Sequence, residues 1–141
     1  MRVPDALELL GNFASRSELI AMGCNEQLID LSLYYGKILR VRVGQYASVG
    51  TPLAVRKALG VGGRLACVSA IAHHQGGDAN TEPIHVLVKY GASRLGAHTP
   101  GQAVIHWTRR EIGGSRLVVS AEAAARQSLT CGALRVDRRV G

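Results

Sequence analysis

The chain has 141 residues and a net charge of +7, with 47% hydrophobic and 19% charged residues. A chain of this length can bury a core as one domain or as two small subdomains, and the composition excludes wholesale disorder. No apolar run is long enough to span a bilayer, and the first residues do not resemble a signal peptide. The three scattered cysteines form no C-x-x-C pair, so we expect a cytoplasmic protein without a disulfide framework or a membrane partner.

The charge is distributed unevenly along the chain. Residues 1–51 carry five basic and five acidic side chains, whereas residues 52–141 carry twelve basic and five acidic ones. A sequence pI of about 9.9 is typical of proteins that bind a polyanion such as nucleic acid. A basic surface that only maintains solubility is the alternative.

Apolar spacing and capping residues predict three short helices in residues 1–36. The first helix begins near Pro4 and draws its apolar face from residues as far as Phe13. The second is capped by Ser15 or Ser17, and the third is capped by Asn25. The residues of the third helix that we expect to face inward are Leu28, Ile29, Leu31 and Leu33.

The spacing of the apolar residues then changes to that of a β-hairpin with its turn at residues 44–45. Strict alternation puts Arg40 and Arg42 on one face with Ile38. The opposite face, which we expect to pack on the helices, holds Leu39, Val41 and Val43. Three helices followed by a basic hairpin is the layout of a winged helix-turn-helix, which we predict for residues 1–50.

The dipeptide Thr51-Pro52 marks the start of a small α+β module at residues 51–133, followed by a basic tail at residues 134–141. The whole chain is therefore expected to be of the α+β class. The elements predicted for the module are a helix from Pro52 to Leu59, a helix from Leu65 to His74, a half-buried strand from Ile84 to Val88, two strands at Val104–Thr108 and Arg116–Val119 joined as a hairpin through Gly113-Gly114, and a helix at Ala121–Leu129 capped by Ser120.

The residues that could carry catalysis or hold a metal have no suggestive local spacing. No cysteine or carboxylate stands at ligand spacing from any histidine, and the apolar run around Cys67 is typical of a buried, inert thiol. The sequence has no nucleophile elbow, no phosphate loop and no paired carboxylates of a nuclease. We therefore expect a protein that is not an enzyme and that has no cofactor and no metal. The five histidines are His73, His74, His85, His98 and His106.

A winged helix would bind double-stranded DNA at an operator, through its third helix and its hairpin. That helix has no arginine or lysine, and it contains the acids Glu26 and Asp30. The alternative is therefore a non-enzymatic interaction module that neutralises a toxin or binds a host protein without contacting DNA; whether the chain forms a homo-oligomer stays open. The predicted DNA-binding residues are Asn25, Gln27 and Ser32 for bases, with Arg16, Lys37, Arg40 and Arg42 for phosphates.

Two sequence patterns carry a resemblance to a known family. Residues 17–30 read S-x-L-x-x-x-G-C-N-x-x-x-I-D, and residues 35–47 read Y-G-K-I-L-R-V-R-V-G-Q-Y-A. These patterns resemble the N-terminal winged-helix domain of AbiEi-type antitoxins of type IV toxin–antitoxin systems, with looser similarity over about residues 5–132. The resemblance implies a repressor of bacterial or phage origin that binds its own promoter and, in toxin–antitoxin members, opposes a nucleotidyltransferase-like toxin. Relatives often add a very-short-patch-repair-like endonuclease domain that has no counterpart in this sequence.

Overall fold

A computed structural model of the chain describes residues 1–92, 95–96 and 101–131. Within these residues the protein is a mixed α+β structure, as predicted, with six helices and two three-stranded sheets. It divides into two compact units, Met1–Pro52 and Leu53–Gly141. No helix in the described part of the chain is long and apolar enough to cross a membrane. The predicted basic tail and His98 lie outside the described residues.

The first unit places three helices beside a small antiparallel sheet. In this sheet the last strand of the unit, β3 (Gln45–Ser48), lies between β1 (Phe13–Ser15) and β2 (Ile38–Arg42). A hairpin turn at residues 43–44 joins β2 to β3. The elements are α1 (Val3–Leu9), β1 (Phe13–Ser15), α2 (Arg16–Ala21), α3 (Glu26–Tyr34), β2 (Ile38–Arg42) and β3 (Gln45–Ser48).

Side-chain caps define where the second and third helices begin. The Ser15 hydroxyl accepts from the Glu18 N–H at 3.1 Å, and the Glu18 carboxylate accepts from the Ser15 N–H at 3.0 Å. This reciprocal capping box selects Ser15 over Ser17. Asn25 caps α3, as predicted, by accepting from the Gln27 N–H.

The core of the first unit is apolar and draws one large side chain from each of four elements. Leu7, Leu19, Ile29 and Ile38 are each at most 1% exposed and pack in one cluster. Burial of such side chains contributes roughly 1.5–3 kcal/mol each relative to exposure. The hydrophobic effect is therefore what orients the helices in this unit.

Two predictions for the helices of the first unit are wrong in detail. Phe13 belongs to β1, where it pairs with Ala47, and not to the first helix. On α3 only Ile29 is fully buried, whereas Leu28 and Leu31 are each 49% exposed. A nine-residue helix with one inward stripe cannot bury residues on both sides of that stripe.

The hairpin also departs from the predicted alternation. Ile38 is buried, whereas Val43 is 91% exposed at the turn. The register with β3 shifts between Arg40 and Arg42, which interrupts the two-residue period on which the prediction relied.

The second unit has a sheet in which β5 (Ile84–Lys89) lies between β4 (Arg64–Leu65), which is antiparallel to it, and β6 (Ala103–Thr108), which is parallel to it. Five consecutive residues of β5 are buried, so this strand is not half-buried as predicted. Such an apolar run is typical of a strand covered on both faces. The elements are α4 (Leu53–Val61), β4 (Arg64–Leu65), α5 (Cys67–His74), β5 (Ile84–Lys89), β6 (Ala103–Thr108) and α6 (Ala121–Leu129).

Two further predictions for this unit are corrected, and one is confirmed. The helix predicted from Leu65 begins at Cys67, because residues 64–65 pair with β5. The predicted hairpin between residues 104–108 and 116–119 does not form: Val118 bridges Leu65, and β6 pairs with β5 instead. A parallel pairing between distant strands leaves no turn signature in the sequence. Helix α6 has its predicted bounds and its Ser120 cap.

Candidate functional site

The outer face of α3 carries the side chains that a partner of the first unit would meet. Ile29 marks the buried side of this helix, and the residues on the opposite side follow helical spacing. Gln27, Asp30, Leu31 and Tyr34 share this outer face, and all four are exposed. The face is therefore mixed, with one amide, one carboxylate and two large apolar side chains.

Arg16, predicted as a phosphate contact, is bonded to α3. Its guanidinium donates to the Asp30 carboxylate at 3.0 Å and to the Tyr46 hydroxyl at 3.1 Å. A second ion pair reaches Glu26 at 3.6 Å. These hydrogen bonds, with Asp30 the largest influence, raise the pKa of Arg16 above its usual range. Arg16 thus links the start of α2 to the exposed side of α3.

The hairpin cations lie beside α3, because β2 packs against that helix. Lys37 and Arg40 are exposed, and Arg42 is half-buried. The backbone N–H of Arg16 donates to the carbonyl of Gly44 at 2.9 Å, so α2 also contacts the hairpin turn. Gly44 takes a φ of 72°, which favours glycine at this turn.

The two remaining predicted base-contacting residues have local structural roles. Asn25 uses its side-chain oxygen as the α3 cap, at 2.7 Å from the Gln27 nitrogen. Ser32 is half-buried and lines a shallow cleft of about 470 Å³ with Lys37, Leu28 and the start of α1. Among the predicted base contacts, Gln27 alone lies on the outer face of α3.

A separate cluster lies in the second unit, where four cysteine and histidine side chains converge. Cys67 begins α5, His85 is on β5, His106 is on β6 and Cys131 follows α6. One nitrogen or sulfur atom from each lies within 4.8 Å of all the others. Cys67, His85 and Cys131 are each at most 3% exposed, and His106 is half-buried. We call these four residues the Cys/His cluster.

Burial changes the acid–base properties of the cluster. It lowers the pKa of His85 to about 4, with a smaller effect from His106, and it lowers the pKa of His106 as well. Burial also raises the pKa of Cys67 to about 12, despite a hydrogen bond from the Val68 backbone. Both imidazoles are therefore neutral near pH 7, and each has a lone pair to donate.

The residues of this cluster have no local spacing in the sequence because they come from four separate places in the fold. His85 and His106 are 21 positions apart, and His106 and Cys131 are 25 positions apart. The parallel pairing of β5 with β6 brings the two histidines together, and that pairing has no local signal. The adjacent His73 and His74 lie outside the cluster, and His74 contacts the Val119 carbonyl at 2.7 Å.

No protein-family model matches this chain, and no curated protein matches it either. The resemblance to AbiEi-type antitoxins therefore stays a prediction from the sequence patterns.

Proposed function

We propose that the first unit is a winged helix that binds double-stranded DNA, and that the protein is a transcriptional regulator of the AbiEi-like antitoxin or repressor type. The observation that carries this proposal is the element order helix, strand, helix, helix, hairpin, with the sheet order β1-β3-β2. This arrangement leaves one face of α3 exposed beside a hairpin with basic side chains. A helix and a wing of this kind fit the major groove and the neighbouring backbone.

The geometry refines the roles that the sequence suggests. Gln27, at the exposed start of α3, is proposed to contact base edges, and Leu31 and Tyr34 to contact thymine methyl groups and the backbone. Lys37, Arg40 and Arg42 are proposed to bind phosphates.

Arg16 and Asn25 are better assigned to holding α3 in place. Arg16 is paired with Asp30, and the Asn25 side-chain oxygen caps the helix. Ser32, in the cleft beside α1, is not assigned a base contact.

The test is a gel-shift titration against the upstream region of the gene, with scrambled competitor DNA, at two salt concentrations. The variant Lys37→Ala plus Arg40→Ala should weaken binding to every sequence and reduce the salt slope by about two, because two phosphate contacts are lost. The matched control, Lys89→Ala plus Arg126→Ala, removes the same charge from exposed positions of the second unit. This control should leave the slope unchanged.

Gln27→Ala should instead reduce the preference for the specific site over competitor DNA with little change in slope. Equal slopes for the unaltered chain and the hairpin variant would contradict the wing assignment. Absence of any shift at low salt, from folded protein, would contradict DNA binding altogether.

A second candidate function is supported by the apolar character of α3. Leu28 and Leu31 are each 49% exposed, and Tyr34 and Tyr35 are 81% and 67% exposed. An exposed apolar patch of this kind is typical of a protein-binding surface. The first unit would then bind a toxin or host protein, as in the interaction-module alternative.

The two candidates differ in their response to one substitution. Leu31→Glu places a charge at the centre of the outer face without touching the core. A protein partner bound there would dissociate in a pull-down, whereas a DNA complex would lose the proposed Leu31 contact and weaken but would still bind through the hairpin and stay sensitive to salt. A partner retained by Leu31→Glu would contradict the protein-binding candidate.

A further inference from the structure

Three of the four ligand atoms in the Cys/His cluster have the separations expected in a tetrahedral metal site, and the fourth, the Cys67 sulfur, lies within 4.8 Å of them. The Nδ1 atom of His85 and the Nε2 atom of His106 are 3.1 Å apart. The Cys131 sulfur lies 3.6 Å from the first nitrogen and 3.7 Å from the second. Zn–N bonds of about 2.05 Å and Zn–S bonds of about 2.3 Å at tetrahedral angles give edges of about 3.3 Å between nitrogens and about 3.6 Å between nitrogen and sulfur. The observed separations are close to these edges.

Hydrogen bonding among the side chains explains this convergence less well than a bound cation does. A hydrogen bond joins one donor to one acceptor, and a neutral imidazole offers a single N–H. Here four atoms from four residues lie within 4.8 Å of one another, and they are largely shielded from water. A cation at their centre would bind the lone pairs of all four atoms at once.

The backbone at Cys67 is an independent sign of a built site. Cys67 has a φ of 54°, in the left-handed region that residues other than glycine rarely adopt. Its N–H donates to the side-chain oxygen of Gln127 on α6 at 2.9 Å, which helps to hold this conformation. A strained residue whose side chain joins a cluster of ligand atoms is typical of functional sites.

We propose that the second unit binds a zinc ion through Cys67, His85, His106 and Cys131. Two sulfur and two imidazole ligands in a tetrahedral arrangement suit Zn²⁺ better than Mg²⁺ or Ca²⁺, which prefer oxygen. Four protein ligands leave no position for a substrate, so the ion is structural. It ties α5, β5, β6 and the end of α6 together, and this inference does not depend on whether the first unit binds DNA.

The first experiment uses the full chain, expressed in zinc-supplemented medium and purified with a thiol reductant. Elemental analysis should find one equivalent of zinc per chain. Replacement by Co²⁺ should give the intense visible absorption of a tetrahedral site, together with thiolate-to-metal charge-transfer bands. A folded chain that carries no metal and binds neither Zn²⁺ nor Co²⁺ would overturn the proposal. A Cys67–Cys131 disulfide that persists under reductant would also overturn it.

Variants then identify the ligands. Cys67→Ser and Cys131→Ser should each weaken zinc binding at least about tenfold in competition with a chromophoric chelator, and each should weaken the charge-transfer bands of the Co²⁺ form. Cys24→Ser is the matched control, because Cys24 is also a buried free cysteine but lies in the first unit. Equal loss of metal in Cys24→Ser would place the ion elsewhere. If a ligand variant fails to fold, the Co²⁺ spectrum of the unaltered chain still decides the question.

Discussion

The two units of this protein differ in what their interiors contain. The core of the first unit is mainly aliphatic, with Leu7 and Ile29 among its largest buried side chains, and its Arg16–Asp30 ion pair lies at the surface. The second unit buries His85, Ser69 and two cysteines among its aliphatic residues. The difference teaches that the hydrophobic effect suffices for the first core, whereas buried polar atoms in the second need specific partners.

Several buried polar groups of the second unit contact one another. Ser69 accepts a hydrogen bond from the His85 backbone at 3.0 Å, which anchors β5 to α5. The side chains of His85 and Cys131 contact each other within the Cys/His cluster. A zinc ion would bind these side chains and add to the stability that the hydrophobic core of the second unit provides.

Metal removal should produce the largest difference in stability between the two units. A ligand at 100 to 1,000 times its dissociation constant stabilises the folded state by about 3–4 kcal/mol, so a chelator should destabilise the second unit by about that amount. Hydrogen exchange followed by mass spectrometry should show lost protection in α5 and β5, with α1 and β3 unchanged. Equal loss of protection in both units would contradict this separation.

Truncation of a core side chain should have the next largest effect, confined to the first unit. Ile29→Ala should cost about 3 kcal/mol of unfolding free energy, because it removes a fully buried side chain and leaves a cavity. Leu31→Ala on the same helix is the control and should cost less than about 1 kcal/mol, since Leu31 is half exposed. Similar losses in the two denaturant titrations would mean that α3 is rotated about its axis.

A close backbone approach makes Gly63 sensitive in the second unit. A Cβ atom added at this position would clash with the backbone carbonyl of Leu87 on β5. Gly63→Ala should therefore destabilise the second unit by about 2 kcal/mol in denaturant unfolding. Gly77→Ala, whose added Cβ would make an ordinary contact at 3.5 Å, should be nearly neutral. A neutral Gly63→Ala would show that β4 and β5 can separate without cost.

Loss of a helix cap should have the smallest effect. Ser15→Ala removes the acceptor of the Glu18 N–H and should cost about 1 kcal/mol in thermal or denaturant unfolding. Ser17 is exposed and does not cap α2, so Ser17→Ala should change stability by less than about 0.5 kcal/mol. A larger effect from Ser17 would contradict the capping box.

The sequence by itself determined the local features of the fold. Ser15, Asn25 and Ser120 are caps because their short oxygen-bearing side chains reach the backbone N–H two or three residues away. The mixed α+β class and the bounds of α6 follow from patterns of the same short range. Gln27, Lys37 and Arg40 were identified in the sequence and are exposed in the structure, and their contact with DNA stays a prediction.

Tertiary structure alone decided the pairing of β5 with β6, the orientation of α3 and the Cys/His cluster. Each depends on residues that are distant in sequence: Ile84 of β5 pairs with Ala103 of β6, and the inward side of α3 is chosen by packing on α1 and β2. Cys67, His85, His106 and Cys131 have no common spacing because a metal site requires only that ligand atoms meet in space. Periodicity reports on hydrogen bonds and burial within one element, whereas these contacts are selected by the free energy of the whole folded unit.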